Sequence, residues 1–527
     1  MSPRTPGVLW STVANWTAFA VAAVVSFLLS PFIVHRLGNS AYGTWVLLGS
    51  FVGYLGLLDL GVRGAVTRYV ANQHAAGDHQ STSATVVAAL RLFAGVALVT
   101  LVIAGLVALL LDDLFRIPPD LLHEARIVVL LSGGAVASSL VGGVFAGIIV
   151  GLHRFDVDSA VEIAITLLRA AAVVVALQAG YGLVALGVIQ FTVSVLRGGL
   201  AFILARHLYP ELSLGGVGPT GHATRQLLSF SLFSSLIQLS GMLIYYTDSM
   251  VIAAFLPIGF VTYYAIAASL TDYTRQVVSA ISRVIAPRTS AALATGGIEA
   301  VRAVVLSVGP AATLVTVPMA LTFLLRGERF LGLWMGPAYG PLTGQVLLVL
   351  SFPVWLAGGR LVAAAAVMGI NRHRGLAIAV ALEAVANLGL SVLLIKPLGL
   401  VGVALGMAFP STIVNLVFMP RYLERHLHIP SREFVTRVWV WPSVACAAFG
   451  VATYAVERWI GADSLLMFFL EVAVLLPLVF AGAVLLVLPP VERQRLAARA
   501  KRLFAALVHP FTTGVGGASA PEPPVED

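Results

Sequence analysis

Ionic side chains are scarce in this 527-residue chain. Only 11% of its residues are charged and 59% are hydrophobic, where soluble domains carry about 25% charged residues. So few charges cannot keep that much apolar surface in water, which excludes a soluble globular protein and leaves lipid as the solvent. Lysine is almost missing: of 32 basic residues, only Lys396 and Lys501 are lysines. The arginines lie between apolar runs and form no single basic face, so nucleic acid is excluded as a partner despite a net charge of +8. The single cysteine, Cys446, permits no intrachain disulfide and reads as a small core residue. All eleven histidines fall in loops or at interfaces, which leaves no imidazole relay at membrane depth. There is no Walker loop, no zinc-protease helix and no nucleophile elbow. The longest outer loop, near Arg326 to Pro341, has room only for a turn or a short helix. No enzyme activity, cofactor or metal is expected.

What is present is a long series of apolar runs. Crossing about 30 Å of hydrocarbon takes roughly 20 apolar residues as a helix. Fourteen segments meet that length, predicting an all-α polytopic membrane protein. They lie near 9–34, 42–70, 84–111, 124–151, 159–179 and 182–205, then near 226–256, 261–287, 301–325, 342–369, 376–396 and 399–421, and finally near 437–459 and 464–488. The first lacks a cleavage pattern and is read as a retained span. With the N-terminus inside, the inner segments collect 19 Lys and Arg against seven outside, so both termini are expected in the cytoplasm. Residues 491–508 form a basic amphipathic stretch, and 518–527 are Pro/Glu-rich and expected to be disordered.

A repeat is visible within the chain. Gly151-Leu-His-Arg154 recurs as Gly369-Ile-Asn-Arg372, and one span later Gly182-Leu-Val184 recurs as Gly399-Leu-Val401. The offset spans an even number of helices, so the two copies share an orientation and the repeat is parallel. This predicts an N-lobe over 1–206, a C-lobe over 222–423, two extra helices over 437–488, and a cytoplasmic tail over 489–527.

Ionisable groups inside spans cost about 2.5–3.5 kcal/mol each on insertion scales, so each needs a reason to be there. Arg63, Arg91, Arg169, Arg197, Arg275 and Arg360 lie at depth, as do Asp59, Glu162, Asp248, Asp272, Glu383 and Glu471. Asp59 with Arg63, and Asp272 with Arg275, share a helix face. Asp272, Arg275, Gln276, Ser279 and Arg283 make one polar stripe at helical spacing, the pattern of a cavity wall; Arg283 could equally snorkel to the interface. Arg91, Arg169, Arg197 and Arg360 have no partner on their own helices. Either they stand free, and their planar forks would hold a diphosphate, or they pair across helices with Glu162, Glu383 or Asp248. With no histidine at depth, a coupled cation or proton would need Asp59, Asp248 or Asp272. Ser139, Gly143, Gly147 and Gly151 form a small-residue stripe for close helix packing.

Leu37-Gly-Asn-Ser-Ala-Tyr-Gly-Thr44, Gly56-Leu-Leu-Asp-Leu-Gly61 and Arg68-Tyr-Val-Ala71 resemble the start of bacterial polysaccharide flippases of the O-antigen type. Asp248-Ser-Met-Val-Ile252 and Val261-Thr-Tyr-Tyr-Ala265 are similar to the seventh and eighth helices of that family. Its superfamily also holds multidrug exporters and lipid II flippases. The resemblance implies a two-lobed fold whose helices 1, 2, 7 and 8 line a cleft, with Asp59, Arg63, Arg68, Asp248, Asp272 and Arg275 facing it. It also implies a bacterial inner-membrane protein that translocates a polyprenyl-diphosphate-linked oligosaccharide for cell-surface polysaccharide such as lipopolysaccharide. The implied partners are that substrate, membrane lipids and glycan polymerase machinery. A multidrug or cation antiporter of the same fold is the first alternative, and a membrane glycan polymerase or ligase the second.

Overall fold

The computed structural model describes residues 8–59, 62–214, 232–282, 285–487 and 493. Arg225, Arg283 and, apart from Arg493, the 489–527 tail lie outside the described residues. Everything regular among the described residues is helical, as expected where backbone polar groups must be satisfied within a segment. In chain order the main helices are α1 (Val8–Leu55), α2 (Val62–Ala75), α3 (His79–Leu114), α4 (Pro119–Gly151), α5 (Phe155–Gln178) and α6 (Leu183–Leu208). They continue as α7 (Leu232–Phe255), α8 (Gly259–Ser282), α9 (Ile285–Met335), α10 (Gly340–Gly369), α11 (Arg374–Ile413) and α12 (Met419–Leu427). After α13 (Ser431–Phe434) come α14 (Trp441–Ala445), α15 (Ala447–Trp459) and α16 (Leu465–Gly482). Outside the apolar spans, Asp78 caps α3: the Ser81 hydroxyl and backbone N–H hold its carboxyl below the usual range.

Eleven helical stretches among the described residues are long and apolar enough to cross a membrane, against the fourteen expected. The difference has two sources. Adjoining spans run on as single helices wherever one glycine turns the corner: Gly38 (φ 77°) in α1 and Gly399 (φ 57°) in α11. The hydropathy pattern predicts a loop at each point, and the backbone spends one residue there. The other source is α8, whose run from Thr271 to Gln276 is too polar to qualify. The expected 42–70 span is also interrupted, by a 3-10 turn at Gly56–Asp59.

The sequence repeat is a repeat of hydrogen bonds. At the end of α4, the amides of Leu152, His153 and Arg154 donate to the carbonyls of Ile148, Val150 and Ile149. At the end of α10, Ile370, Asn371 and Arg372 donate to Ala366, Met368 and Val367 in the same order. His153 and Asn371 both take the left-handed conformation at φ 58°, which His and Asn tolerate better than most side chains.

The small-residue stripe of α4 receives α2. A Cβ on Gly147 would meet Val66 Cγ1 at 3.3 Å, and one on Gly151 would meet the Thr67 carbonyl at 3.0 Å. Arg326 corrects the sequence reading. It does not lie in an outer loop: α9 continues through it to Met335, and its side chain is fully buried. There it bridges Glu457 of α15 at 2.9 Å and Glu471 of α16 at 2.5 Å, and lies 4.5 Å over the Phe468 ring. A buried guanidinium requires such partners, and this one fastens the two C-terminal helices to α9.

Candidate functional site

A cavity of about 620 Å³ opens within the helices. The polar stripe of α8 forms one wall, α7 a second, and α10 with α11 a third; Tyr42 to Ser50 of α1 complete it. Three charged arrangements face it.

On α8, Arg275 reaches back one turn to Asp272, with Nε and Nη2 donating to Oδ1 at 3.0 and 2.5 Å. Gln276 donates to the other carboxylate oxygen at 2.7 Å, and the Arg275 guanidinium lies 4.4 Å over the Tyr245 ring. Of the stripe seen in the sequence, Asp272 and Arg275 line the cavity, Gln276 and Ser279 do not, and Arg283 lies outside the described residues.

Between α10 and α11, Arg360 grips Glu383 through both terminal nitrogens at 2.8 and 2.7 Å and donates to Ser411 Oγ at 3.0 Å. Glu383 is 3% exposed. Fork-to-carboxylate geometry uses the full donor set of arginine. Of the two readings left open by the sequence, pairing across helices holds for Arg360, and it holds for Arg197 too, whose Nη2 lies 2.6 Å from Glu162.

On α7, Asp248 is 2% exposed and accepts a hydrogen bond from the Tyr264 hydroxyl through Oδ2. Its Oδ1 has no partner among the described residues. Nearby, the hydroxyls of Tyr54 and Thr247 are 2.5 Å apart.

The other predicted residues lie elsewhere. Arg63, Arg68, Arg91, Arg169 and Arg197 do not line this cavity. The expected Asp59–Arg63 ion pair is replaced by a backbone bond, the Arg63 N–H donating to Asp59 Oδ1 at 3.5 Å; the 3-10 turn aims the carboxylate at the chain ahead. The side chain of Arg63 runs past Gly143. Among the described residues, Arg68, Arg91 and Arg169 are exposed and take part in no salt bridge. Sequence reasoning missed the tyrosines. Tyr42, Tyr245, Tyr246 and Tyr264 all line the cavity, and pairs of tyrosine beside Asp248 and Thr262 in otherwise apolar spans were the available signal.

At the Gly38 end the helices are stitched together around Asn39. Its Oδ1 accepts from the Tyr339 hydroxyl at 2.6 Å, its Nδ2 donates to the Tyr263 hydroxyl at 3.1 Å, and its carbonyl accepts from Thr262 Oγ1 at 2.7 Å. Earlier on α1, the rings of Phe27 and Trp334 stack at 4.7 Å and 5°, and Trp334 Nε1 donates to the Phe27 carbonyl at 3.0 Å. Gly43 lies so close to the Ile258 carbonyl that no Cβ fits there.

A sequence profile described as "Polysaccharide biosynthesis protein" matches residues 6–293. Among curated proteins, the chain is 22% identical over 435 residues to the uncharacterized membrane protein EpsK of Bacillus subtilis (strain 168), covering 78% of this chain and 82% of that one. Among solved structures it superposes on lipid II flippase MurJ in an inward closed conformation, with a TM-score of 0.69 at 11% identity over 91% of this chain and 98% of that one. It also superposes on an inward-facing multidrug resistance MATE family transporter of the MOP superfamily, with a TM-score of 0.65 at 17% identity over 78% and 94%. These likenesses establish the fold.

Proposed function

The chain belongs to the polysaccharide biosynthesis protein family, and we propose that it is a flippase that carries a polyprenyl-diphosphate-linked oligosaccharide from the cytoplasmic to the outer leaflet of the bacterial inner membrane. The observation that carries this reading is the cavity, in which both guanidiniums are committed to carboxylates and four tyrosines supply flat faces and hydroxyls. Such a lining suits a neutral, polyhydroxylated guest: tyrosine offers an apolar face with a polar tip, and pockets of this kind hold ligands through a few placed polar groups.

The diphosphate needs cations that are not already paired. Arg63, Arg68, Arg91 and Arg169 are the predicted residues without a salt bridge among the described residues, and we assign them to the anionic headgroup. Arg197, Arg275 and Arg360 keep their carboxylates, with Arg275 and Arg360 turned toward the glycan. The lipid tail stays in the bilayer. Lobes over 1–206 and 222–423 rock about the cleft, the Asn39 contacts serve as the outer gate, and both termini face the cytoplasm. Coupling to an ion falls to Asp248, whose Oδ1 has no partner among the described residues, while Asp59 and Asp272 accept hydrogen bonds from Arg63 and Arg275. The product is handed to glycan polymerase machinery.

The test is transport in sealed vesicles, using a fluorescent polyprenyl-diphosphate-linked disaccharide and an impermeant quencher. Arg63→Ala combined with Arg275→Ala should abolish translocation while the protein stays folded in the membrane; undiminished translocation removes both residues from the mechanism. One observation favours a second reading. Asp248, Asp272 and Glu383 outnumber Arg275 and Arg360 around the cavity, a balance that also suits an organic cation. Resistance to organic cations on overexpression would support that alternative.

A further inference from the structure

Just beyond Ser411, which lines the cavity, α11 passes into a π-helical turn at Val414–Phe418 before α12. A second π-helical turn, Val435–Val440, follows α13. Turns of this kind are rare and cluster at functional sites. Between the two lie α12, His428 at φ 50°, Ile429 and Pro430. The arms diverge around a groove of about 400 Å³.

Its apolar lining comes from Leu416, Val417, Pro420 and Val435, and Arg421 and Arg432 stand on it as well. Leu416 and Val417 are 43% and 45% exposed, so the apolar part opens sideways onto the surface that hydrocarbon covers. One carboxylate lines the groove too: Glu424, which accepts from Ser431 Oγ at 2.6 Å and keeps its charge, so two guanidiniums stand against one acid. Glu433 bridges Arg302 at 2.7 Å and Arg437 at 3.4 Å. Arg421 spends one N–H on the Val417 carbonyl at 3.2 Å, and the Arg432 guanidinium has no hydrogen bond or ion pair among the described residues. An apolar slot with two available guanidiniums, at the membrane edge where this chain concentrates its arginines, matches one chemistry.

We propose that this groove seats one anionic phospholipid, an acyl chain against Leu416, Val417 and Val435 and the phosphate between Arg421 and Arg432. Basic pockets between spans on the cytoplasmic side take anionic headgroups in this way. A free phosphate ion would leave the apolar floor unfilled, so the lipid is the occupant. The groove shares no lining residue with the cavity, and the proposal does not depend on what the cavity transports.

Native mass spectrometry of the delipidated full chain, titrated with phosphatidylglycerol, phosphatidylcholine or inorganic phosphate, tests it without a transport assay. One phosphatidylglycerol should bind in preference to phosphatidylcholine, and inorganic phosphate should not displace it. Each basic group near anionic lipid contributes about fivefold in affinity, so Arg421→Ala with Arg432→Ala should weaken that binding roughly 25-fold. Val417→Trp, which fills the slot and keeps both charges, should also lose the lipid. Arg458→Ala, at the opposite end, should not. Equal binding of both lipids, unchanged binding by the double variant, or displacement by phosphate alone would overturn the proposal.

Discussion

Arg360 and Glu383 show how a charge survives among apolar helices. Each is expensive alone, and their twin hydrogen bonds at 2.8 and 2.7 Å offset the cost. Glu383→Ala therefore leaves a guanidinium without its counter-ion, and should lower stability by about 3 kcal/mol in a detergent unfolding series. Replacing both partners by apolar residues of similar volume, Arg360→Met with Glu383→Leu, should restore most of that loss while still impairing transport. A double variant as unstable as the single one would show that the pair is not the unit of stability. Asp248 has a different part. Asp248→Asn keeps the size and the contact with the Tyr264 hydroxyl but removes the charge, so transport by this variant should no longer respond to an imposed ion gradient. A response equal to that of the unaltered protein would exclude Asp248 from coupling. The pairs themselves were only half legible in the sequence. Spacing showed Asp272 with Arg275 because they share a helix face, but a partner on another helix, as for Arg360 or Arg197, depends on tertiary packing that no local pattern encodes.

Helix junctions behave in the same way. Hydropathy located the apolar runs because lipid imposes a length on each one. It could not show that α1 and α11 turn corners on single glycines, since a positive φ leaves no trace in hydropathy. Arg326 was misplaced for a related reason: Arg326, Glu328 and Arg329 within four residues look like a loop, and only the carboxylates of Glu457 and Glu471 make burial tolerable. The Gly151 and Gly369 turns were legible because a fixed backbone conformation selects a short motif. Two predictions belong to this scale. Gly147→Leu should push α2 off α4, reducing the yield of folded protein, since even a Cβ meets Val66 at 3.3 Å; normal yield would mean that the seat is loose. Asn39→Cys with Thr262→Cys in a Cys446→Ser background should let a short thiol crosslinker join α1 to α8. The crosslinked protein should stop transporting and recover when the link is cleaved. Unhindered transport by fully crosslinked protein would show that this end does not open.

At the level of the molecule, two features divide the work. Contacts of Asn39, Phe27 and Trp334 tie α1 to its neighbours, and an aromatic, charge-paired cavity lies between α7, α8, α10 and α11. Alternating access requires that binding energy be redistributed between two global states, so the substrate must contact the two states differently. The most direct measurement of this account follows a fluorescent polyprenyl-diphosphate-linked disaccharide across vesicles containing the purified chain. Protein-dependent loss of the label from the loaded leaflet is expected, abolished by Arg63→Ala with Arg275→Ala and insensitive to organic cations. No acceleration over empty vesicles, together with protein-dependent efflux of an organic cation, would contradict it.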